Sequence, residues 1–268
     1  MADTDDDWTL YAQHRAHMTQ ALLSCAGSGG GRLCLLGAGN CNDVDLDRLA
    51  ATFSEIHLVD IDPAALARAV ARQTPSVFSR LRLHARVDLS GMDKRLAKWK
   101  RRSPTVPQID AVAASTLQTL VSRLPGPFDV VASACVLTQM SFRARDELGD
   151  AHPMLWPVRL SLVATHLNSL VALTAVGGVS LFVSDLVSSN LYPISEIKPS
   201  ENLADTMNQI VQSGTFYHAA NPTLIRSILG DENLRSRVGE AELLSPWLWT
   251  GRLGRTYFVY ALRMQRLG

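Results

Sequence analysis

An α/β fold, a parallel sheet covered by helices on both faces, is predicted by three observations in this 268-residue chain. Apolar, strand-like runs alternate with segments whose apolar residues fall at helical spacing. A glycine turn, "GAGNCND" from Gly37 to Asp43, follows the first of those runs directly. An acid, Asp60, ends the second run 21 positions after Gly39.

The elements follow in order. Trp8, Tyr11, Met18 and Leu22 space residues 8–26 as a helix, and "GSGGG" at 27–31 breaks it. Arg32–Leu36 reads as a buried strand, Val44–Phe53 as a helix, and Glu55–Asp62 as a strand ending in two acids. Pro63–Gln73 is a helix opened by proline, whose missing N–H costs nothing at the first position. Arg80–Leu89 alternates as a strand. Residues 93–123 read as helical, broken by "SPTVP". Phe128–Val136 is a strand, Val158–Val176 a helix, and Gly177–Leu186 a strand. Residues 187–240 show no clear period. Arg255–Met264 is a last strand, expected to pair with Leu243–Thr250.

Composition narrows the function classes. Hydrophobic residues make up 47% and charged residues 19%, the balance of an ordinary globular chain. The net charge of +1 gives no chain-wide case for a nucleic acid or membrane partner. Cys25, Cys34, Cys41 and Cys135 form no C-x-x-C pair, and the acidic start "MADTDDDW" lacks the basic and apolar regions of a leader. A reduced, cytoplasmic chain is expected. The longest apolar stretch, "SLVATHLNSLVALTAV", is too short and too polar for a bilayer span.

Ligands of such sheets bind beyond the carboxyl ends of the strands, where the glycine turn lies. Gly37 and Gly39 allow a tight turn and a close backbone approach, and the helix after them is expected to aim its N-terminus at the ligand. Asp60 is placed to accept both hydrogen bonds of a ribose diol. A dinucleotide site wants G-x-G-x-x-G, and Asn42 occupies the third glycine position. No Tyr-x-x-x-Lys pair or Walker loop is present.

"LCLLGAGNCNDVDL", "IHLVDID", "RVDL" and "FDVVASACVL" together resemble the successive cofactor motifs of class I S-adenosylmethionine-dependent methyltransferases. The resemblance covers roughly residues 30–186. It implies a Rossmann-like, seven-stranded, mostly parallel sheet, an antiparallel last strand and an N-terminal helical lid. Residues 1–30 would be the lid, 31–268 the catalytic domain, and 187–240 a lid or acceptor-recognition insertion. It further implies that Gly37, Ala38 and Gly39 meet the methionine part of S-adenosylmethionine and Asp60 the ribose, with Ile61 beside the adenine. Asp88, followed by Leu89, would meet the adenine amine, and Ser133, Ala134 and Cys135 would line the methyl-transfer site. Leu35 replaces the acid that the family often has two residues before its first glycine, and Cys41 replaces the family's third glycine. Asn40 or Asp43 is then left to hold the cofactor's amino group, unless Asp43 is only a helix N-cap.

The acceptor side is less legible. "SACVLTQM" lacks the Asn/Asp-Pro-Pro-Tyr run of base-amine methyltransferases, and no acids or histidines fall at metal spacing. The expected acceptor is a small-molecule oxygen or nitrogen, with no nucleic acid or membrane partner. Asp185 ends the fifth strand as an acceptor ligand or base, or as a plain solvated or capping aspartate. Tyr11 and His14 share a face of the first helix, in a pocket or packing role, and His166 reads as a core histidine. His152 is a loop residue. "KRLAKWKRR", 94–102, carries six cations around Trp99, either a solvated helix face or a grip on phosphates with Trp99 stacked on a base. An RNA or protein acceptor, a cofactor-free scaffold, and a nicotinamide enzyme are the rival readings.

Overall fold

The computed structural model describes residues 8–28, 30–197 and 202–268. Seven strands form one sheet: β1 (Arg32–Leu36), β2 (Glu55–Val59), β3 (Leu81–His84), β4 (Phe128–Ala134), β5 (Thr174–Ser188), β6 (Glu242–Thr250) and β7 (Thr256–Gln265). Their order is β3-β2-β1-β4-β5-β7-β6. β1 to β5 pair in parallel, and β7 runs antiparallel between β5 and β6. This is the Rossmann-like mixed sheet that the sequence predicts. Strand order reverses at β1, which carries β2 on one side and β4 on the other, so the crevice falls beyond its carboxyl end.

Alternation along each strand sorts side chains into two cores. Cys34, Leu36, Val131, Phe182 and Tyr260 face one, and Leu33, Leu35, Val130, Ala132 and Val183 face the other. The second core is covered by α1 (Ala12–Ser24), α2 (Leu46–Thr52) and α3 (Pro63–Ala71), through Met18, Leu22, Leu49 and Leu66. A short α4 (Pro75–Phe78) follows. Next in the chain are α5 (Asp93–Arg101) and α6 (Val106–Arg123), then α7 (Val136–Leu148) and α8 (Leu155–Leu173). The last helices are α9 (Leu203–Ser213), α10 (Pro222–Leu229) and α11 (Glu232–Arg235). Leu120 of α6, Leu167 and Leu170 of α8, Ile210 of α9 and Ile225 of α10 cover the first core.

Four sequence expectations are corrected. The third strand stops at His84 rather than Leu89, because Arg86 turns left-handed at φ +57° and the Val87 N–H bonds to the Asp60 carbonyl. The first α/β helix starts at Leu46, capped by Asp45, whose carboxylate accepts from the Arg48 N–H at 3.1 Å. The helix expected over Val158–Val176 runs from Leu155 to Leu173, and Thr174–Val176 extends β5 instead. α7 was hidden in the sequence because "VVASACV" reads as uninterrupted strand; Cys135 breaks it at φ +50°. The silent stretch 187–240 contains α9, α10 and α11. β6 pairs with β7 as expected, and its Pro246 falls where the register shifts on an edge strand.

No helix of the described residues is long and apolar enough to cross a membrane. The four cysteines are all unpaired. Phe182 is fully buried on β5, beside the Tyr260 and His166 rings. Phe182→Ala is expected to cost about 3–5 kcal/mol, read by urea or thermal unfolding.

Candidate functional site

The glycine turn is built by β1 and held by β2. The Gly37 and Ala38 N–H groups donate to the Val59 carbonyl, at 2.9 and 3.1 Å. Gly37 takes φ +75°, and a Cβ there would sit 2.6 Å from Val136 Cβ, so only glycine lets the turn lie against α7. Gly39 takes φ +52° with open space where its Cβ would be. Its N–H donates to Asp60 Oδ2 at 2.8 Å, and Asp60 Oδ1 accepts the Asp62 N–H at 2.8 Å. Cys41, at the family's third glycine position, also takes a left-handed φ of +55°. The turn therefore keeps its glycine geometry without the glycine.

Beyond the turn lies a cleft of about 660 Å³. Of the residues singled out in the sequence, Tyr11, Gly37, Ala38, Gly39, Asn40, Asp43, Asp60, Ile61, Asp88 and Leu89 line it. Ile61 is 42% exposed, an apolar side chain left open beside the Asp60 carboxylate. Asp88 holds the loop before α5: Oδ1 accepts from Ser90 N–H and O–H at 2.9 and 2.6 Å, and Oδ2 from the Asp93 N–H at 3.2 Å. The cleft thus has an apolar wall of Ile61, Val87, Leu89, Met92 and Leu96, with the carboxylates of Asp60 and Asp88 in it. It can hold a flat apolar ring system carrying hydroxyl and amine donors.

Ser133, Ala134, Cys135, His14 and Asp185 are not in this wall. Val136 and α7 residues Gln139, Met140 and Arg143 stand there instead, at the i, i+3, i+4 and i+7 spacing of one helix face. Ser133 Oγ lies 2.6 Å from His166 Nε2 in the interior, so His166 is a core residue, its pKa pushed down to about 4 by burial. Cys135 turns the chain into α7, and burial pushes its thiol far up, with Asp185 and Asp43 adding to the effect. Asp185 is neither solvated nor a cap: it is buried, accepts from Thr138 Oγ1 at 2.5 Å, and is pushed up to about 6 by burial.

Asp43 is not the N-cap; Asp45 has that role. Asp43 stands in the cleft wall, and burial pushes its carboxyl up to about 7, with Asp185 adding and Arg15 opposing. His14 is fully buried on α1; its Nδ1 accepts the Trp247 Nε1–H at 3.0 Å, and its Nε2 faces Asp43 Oδ1 at 3.6 Å. Burial pushes His14 down to about 3, so it is neutral. Tyr11 packs its ring on Trp249 at 4.7 Å. The expected N-terminus of α2 does not reach the cleft wall, because residues 40–45 intervene as turns.

Sequence reasoning missed the clamp on those turns. Arg72 donates to Asn42 Oδ1 and the Asn40 carbonyl at 3.0 and 2.6 Å, and Arg15 to the Asn42 carbonyl at 3.0 Å. The Trp8 ring lies under both guanidiniums, at 3.5 and 5.2 Å. Partners 27 to 32 positions apart leave no local sequence signal. Trp99 is buried against Leu96, Ile109 and Leu148, which removes it as a stacking platform for a base. His152 holds its loop, with Nδ1 accepting the Met154 N–H and Nε2 near the Trp99 carbonyl. Among the described residues, no group of histidine, cysteine and acidic side chains has the arrangement of a metal site.

No protein-family model matches the chain. A comparison with curated proteins finds no match. Solved structures with similar backbones include magnesium protoporphyrin IX methyltransferase from Synechocystis PCC 6803 with bound SAH, at 13% identity, covering 100% of this chain and 88% of that one, TM-score 0.48. TrmN from Thermus thermophilus is similar at 13% identity over 97% of this chain and 52% of its own, TM-score 0.48. The O-methyltransferase TomG from Streptomyces achromogenes, in complex with SAM, is similar at 14% identity over 100% and 82%, TM-score 0.42.

Two outcomes follow from the site's geometry. Cys41→Gly should change stability by less than about 1 kcal/mol, because relief of the left-handed backbone offsets the lost thiol packing. Cys41→Val, branched at Cβ, should cost about 2 kcal/mol or more; chemical denaturation compares the two. Asp185 binds its proton more tightly in the fold than in the unfolded chain, so it destabilises the fold increasingly as pH rises from about 4 to about 6. Asp185→Asn should therefore raise Tm more at pH 8 than at pH 4.

Proposed function

We propose that this chain transfers a methyl group from S-adenosylmethionine to an oxygen or nitrogen of a small molecule. The observation that carries it is the Asp60 carboxylate, which fixes the Gly39 N–H from within while lining the cleft next to exposed Ile61. A carboxylate oxygen has two lone pairs, so Asp60 can hold the turn and still accept from a ribose diol. Open space at Gly39 leaves room for a ligand against the backbone. The donor set fits the cofactor: carboxylates for hydroxyls and an amine, an apolar slot for the adenine, and an acid, Asp43, for positive charge.

In this reading Gly37, Ala38, Gly39 and Asn40 cradle the methionine half. Asp60 holds the ribose, and Ile61 and Leu89 flank the adenine, whose amine reaches Asp88. Ser133, Ala134 and Cys135 lie behind Val136 as the floor on which the methyl-transfer side is built. The cofactor, when bound, supplies an already activated methyl on a sulfonium sulfur. The chain's own task is then to place the nucleophile in line, about 3 Å away, and to exclude water. Tyr11 lines the cleft at the start of the N-terminal helix, which we assign to the lid expected over residues 1–30, of which 1–7 and 29 lie outside the described residues. We assign the described part of residues 187–240 to the acceptor side through its packing on α7: Tyr217 donates to Ser188 Oγ at 2.7 Å and meets Phe142 of α7 edge-on. Four unpaired thiols suit a reduced, cytoplasmic setting.

One observation favours a second reading. Lys94, Arg95, Lys98, Lys100, Arg101 and Arg102 are all exposed on and beside α5, whose Asp93 and Leu96 line the cleft. Salt-sensitive RNA binding lost on reversing these charges would favour an RNA acceptor. The buried Trp99 favours the small-molecule reading, since the basic face then offers no aromatic ring.

Calorimetric titration with S-adenosylhomocysteine and with NAD is the test. Micromolar S-adenosylhomocysteine binding is expected, with none for NAD, and Asp60→Ala should weaken it at least about a hundredfold by losing both turn and ribose contacts. Binding of neither ligand would replace this reading with a scaffold that uses the fold alone.

A further inference from the structure

Two histidines meet on the sheet face that α6 covers. His57 of β2 and His84, the last residue of β3, place Nδ1 and Nε2 2.9 Å apart. The His57 ring is buried against Phe128, at 4.8 Å, and its Nε2 lies 3.2 Å from Glu55 Oε2. That bond holds the Glu55 carboxyl below its usual range, so it is ionised. A carboxylate only accepts; His57 Nε2 therefore carries the proton, Nδ1 accepts, and His84 Nε2 donates to it. His84 Nδ1 is then the ring nitrogen of the pair left for a further proton, on a residue that is half-buried.

The backbone of His84 reaches the cleft. Its carbonyl accepts the Asp60 N–H at 3.1 Å, and the Asp60 carbonyl accepts the Val87 N–H at 3.0 Å. Between them Arg86 turns left-handed at φ +57°. Arg123 of α6 donates to the Ala85 and Arg86 carbonyls at 2.7 and 2.9 Å. Val87, Asp88 and Leu89 follow at once and line the cleft. One guanidinium thus fastens the turn between β3 and the cleft wall. The same guanidinium opposes a positive charge on His84.

We propose that His84 is a proton-sensitive tie for this wall: neutral, it leaves Arg123 fastened to residues 85 and 86; protonated, it repels Arg123 and loosens residues 87–89 around the adenosine half of the ligand. This regulation of the cleft rests on the cofactor reading above. The charged groups facing the pair among the described residues are Arg32 of β1, Glu55 of β2, Arg82 of β3 and Arg123 of α6. Burial lowers the proton affinity of His84, with His57 and Arg123 adding to the effect, and burial also lowers that of His57. Both are therefore neutral at pH 7.5. The stability that the neutral pair contributes is fully present above about pH 6.5 and is lost as pH falls through the lower folded values.

The probe is 5′-methylthioadenosine, which carries the adenosine half and lacks the amino-acid half. By calorimetry, wild type should bind it at least about fivefold more weakly at pH 5 than at pH 7.5. His84→Gln keeps an N–H donor for His57 and cannot take the proton. It should bind within about twofold of wild type at pH 7.5 and lose most of the pH dependence. Arg123→Met, which removes the repelled partner, should bind more weakly throughout and also flatten the profile. Asp43 and Asp185 titrate in the same window and are common to all three chains, so the comparison isolates His84. Amide exchange at Asp60 and Val87 in the ligand-free chain is the second readout. Wild type and His84→Gln should protect both amides equally at pH 7.5, and wild type less at pH 5 by about fivefold or more. A flat wild-type profile, or one that His84→Gln leaves unchanged, overturns the proposal, as does equal protection of the two chains at pH 5. If no chain binds the probe at either pH, the cofactor reading fails, and the exchange ratio alone decides the His84 tie.

Discussion

The hydrogen bond from the Gly39 N–H to Asp60 is the constraint on which the rest of the site depends. It joins the loop after β1 to the end of β2, across strands already paired as Leu36 to Val59. A free turn with three left-handed residues would be costly to order, because each backbone fixed in one well loses about 1–2 kcal/mol of entropy. The Val59 carbonyl and the Asp60 carboxylate together fix Gly37, Ala38 and Gly39, and so carry that cost within the rigid sheet. The same carboxylate then presents its remaining lone pairs to the cleft. One side chain is thus both the scaffold of the turn and part of the cleft wall, and the two roles cannot be separated by mutation.

The next level of order is the docking of α1. His14, Arg15 and Thr19 all act on the segment after the turn: His14 faces Asp43, Arg15 takes the Asn42 carbonyl, and Thr19 Oγ1 accepts the Asp45 N–H at 2.9 Å. Arg72 reaches the same segment from α3. The loop from Asn40 to Asp45 is therefore held on two sides by residues from the layer over one face of the sheet. That layer also carries Tyr11 to the cleft. The helix that resembles a lid is, by its packing, part of the main core through Met18 and Leu22. Its N-terminal end is the part that borders the ligand space.

Much of this was legible in the sequence, for physical reasons. Strand alternation and buried runs gave the sheet, because one-residue periodicity errors would expose whole faces. Glycine and acid at successive strand ends marked the cleft, since those residue types have few other reasons to recur there. What stayed hidden depends on non-local geometry. Asp43 and Asp45 are both plausible caps by composition, and only the start of α2 decides between them. Cys41 looks like a lost glycine until its φ shows the backbone conserved beneath a different side chain. α7 was masked because Cys135 turns the chain at a left-handed residue, which strand-like "ASACV" does not announce. The basic run read as a charged face with a central Trp, yet helical spacing put Trp99 inward among Leu96, Ile109 and Leu148.

Two acids meet at the sheet's carboxyl edge, Asp43 half-buried in the cleft wall and Asp185 buried behind it. Burial pushes up the proton affinity of both, and the Asp185 charge adds to the effect at Asp43. An amide would fill the same volume at lower electrostatic cost. Arg15 offsets part of the penalty at Asp43, but it is engaged with the Asn42 and Trp8 carbonyls rather than bonded to the carboxylate. The residual penalty at Asp43 is relieved by proton uptake or by positive charge entering the cleft. A cationic ligand therefore gains at this edge from its own contacts and from offsetting the electrostatic cost of the Asp43 carboxylate. S-adenosylmethionine, the cofactor proposed above, carries a sulfonium and an ammonium against a single carboxylate, one net positive charge. On this physical ground that cofactor accounts for the site better than a nucleotide whose phosphates would add to the negative charge already there.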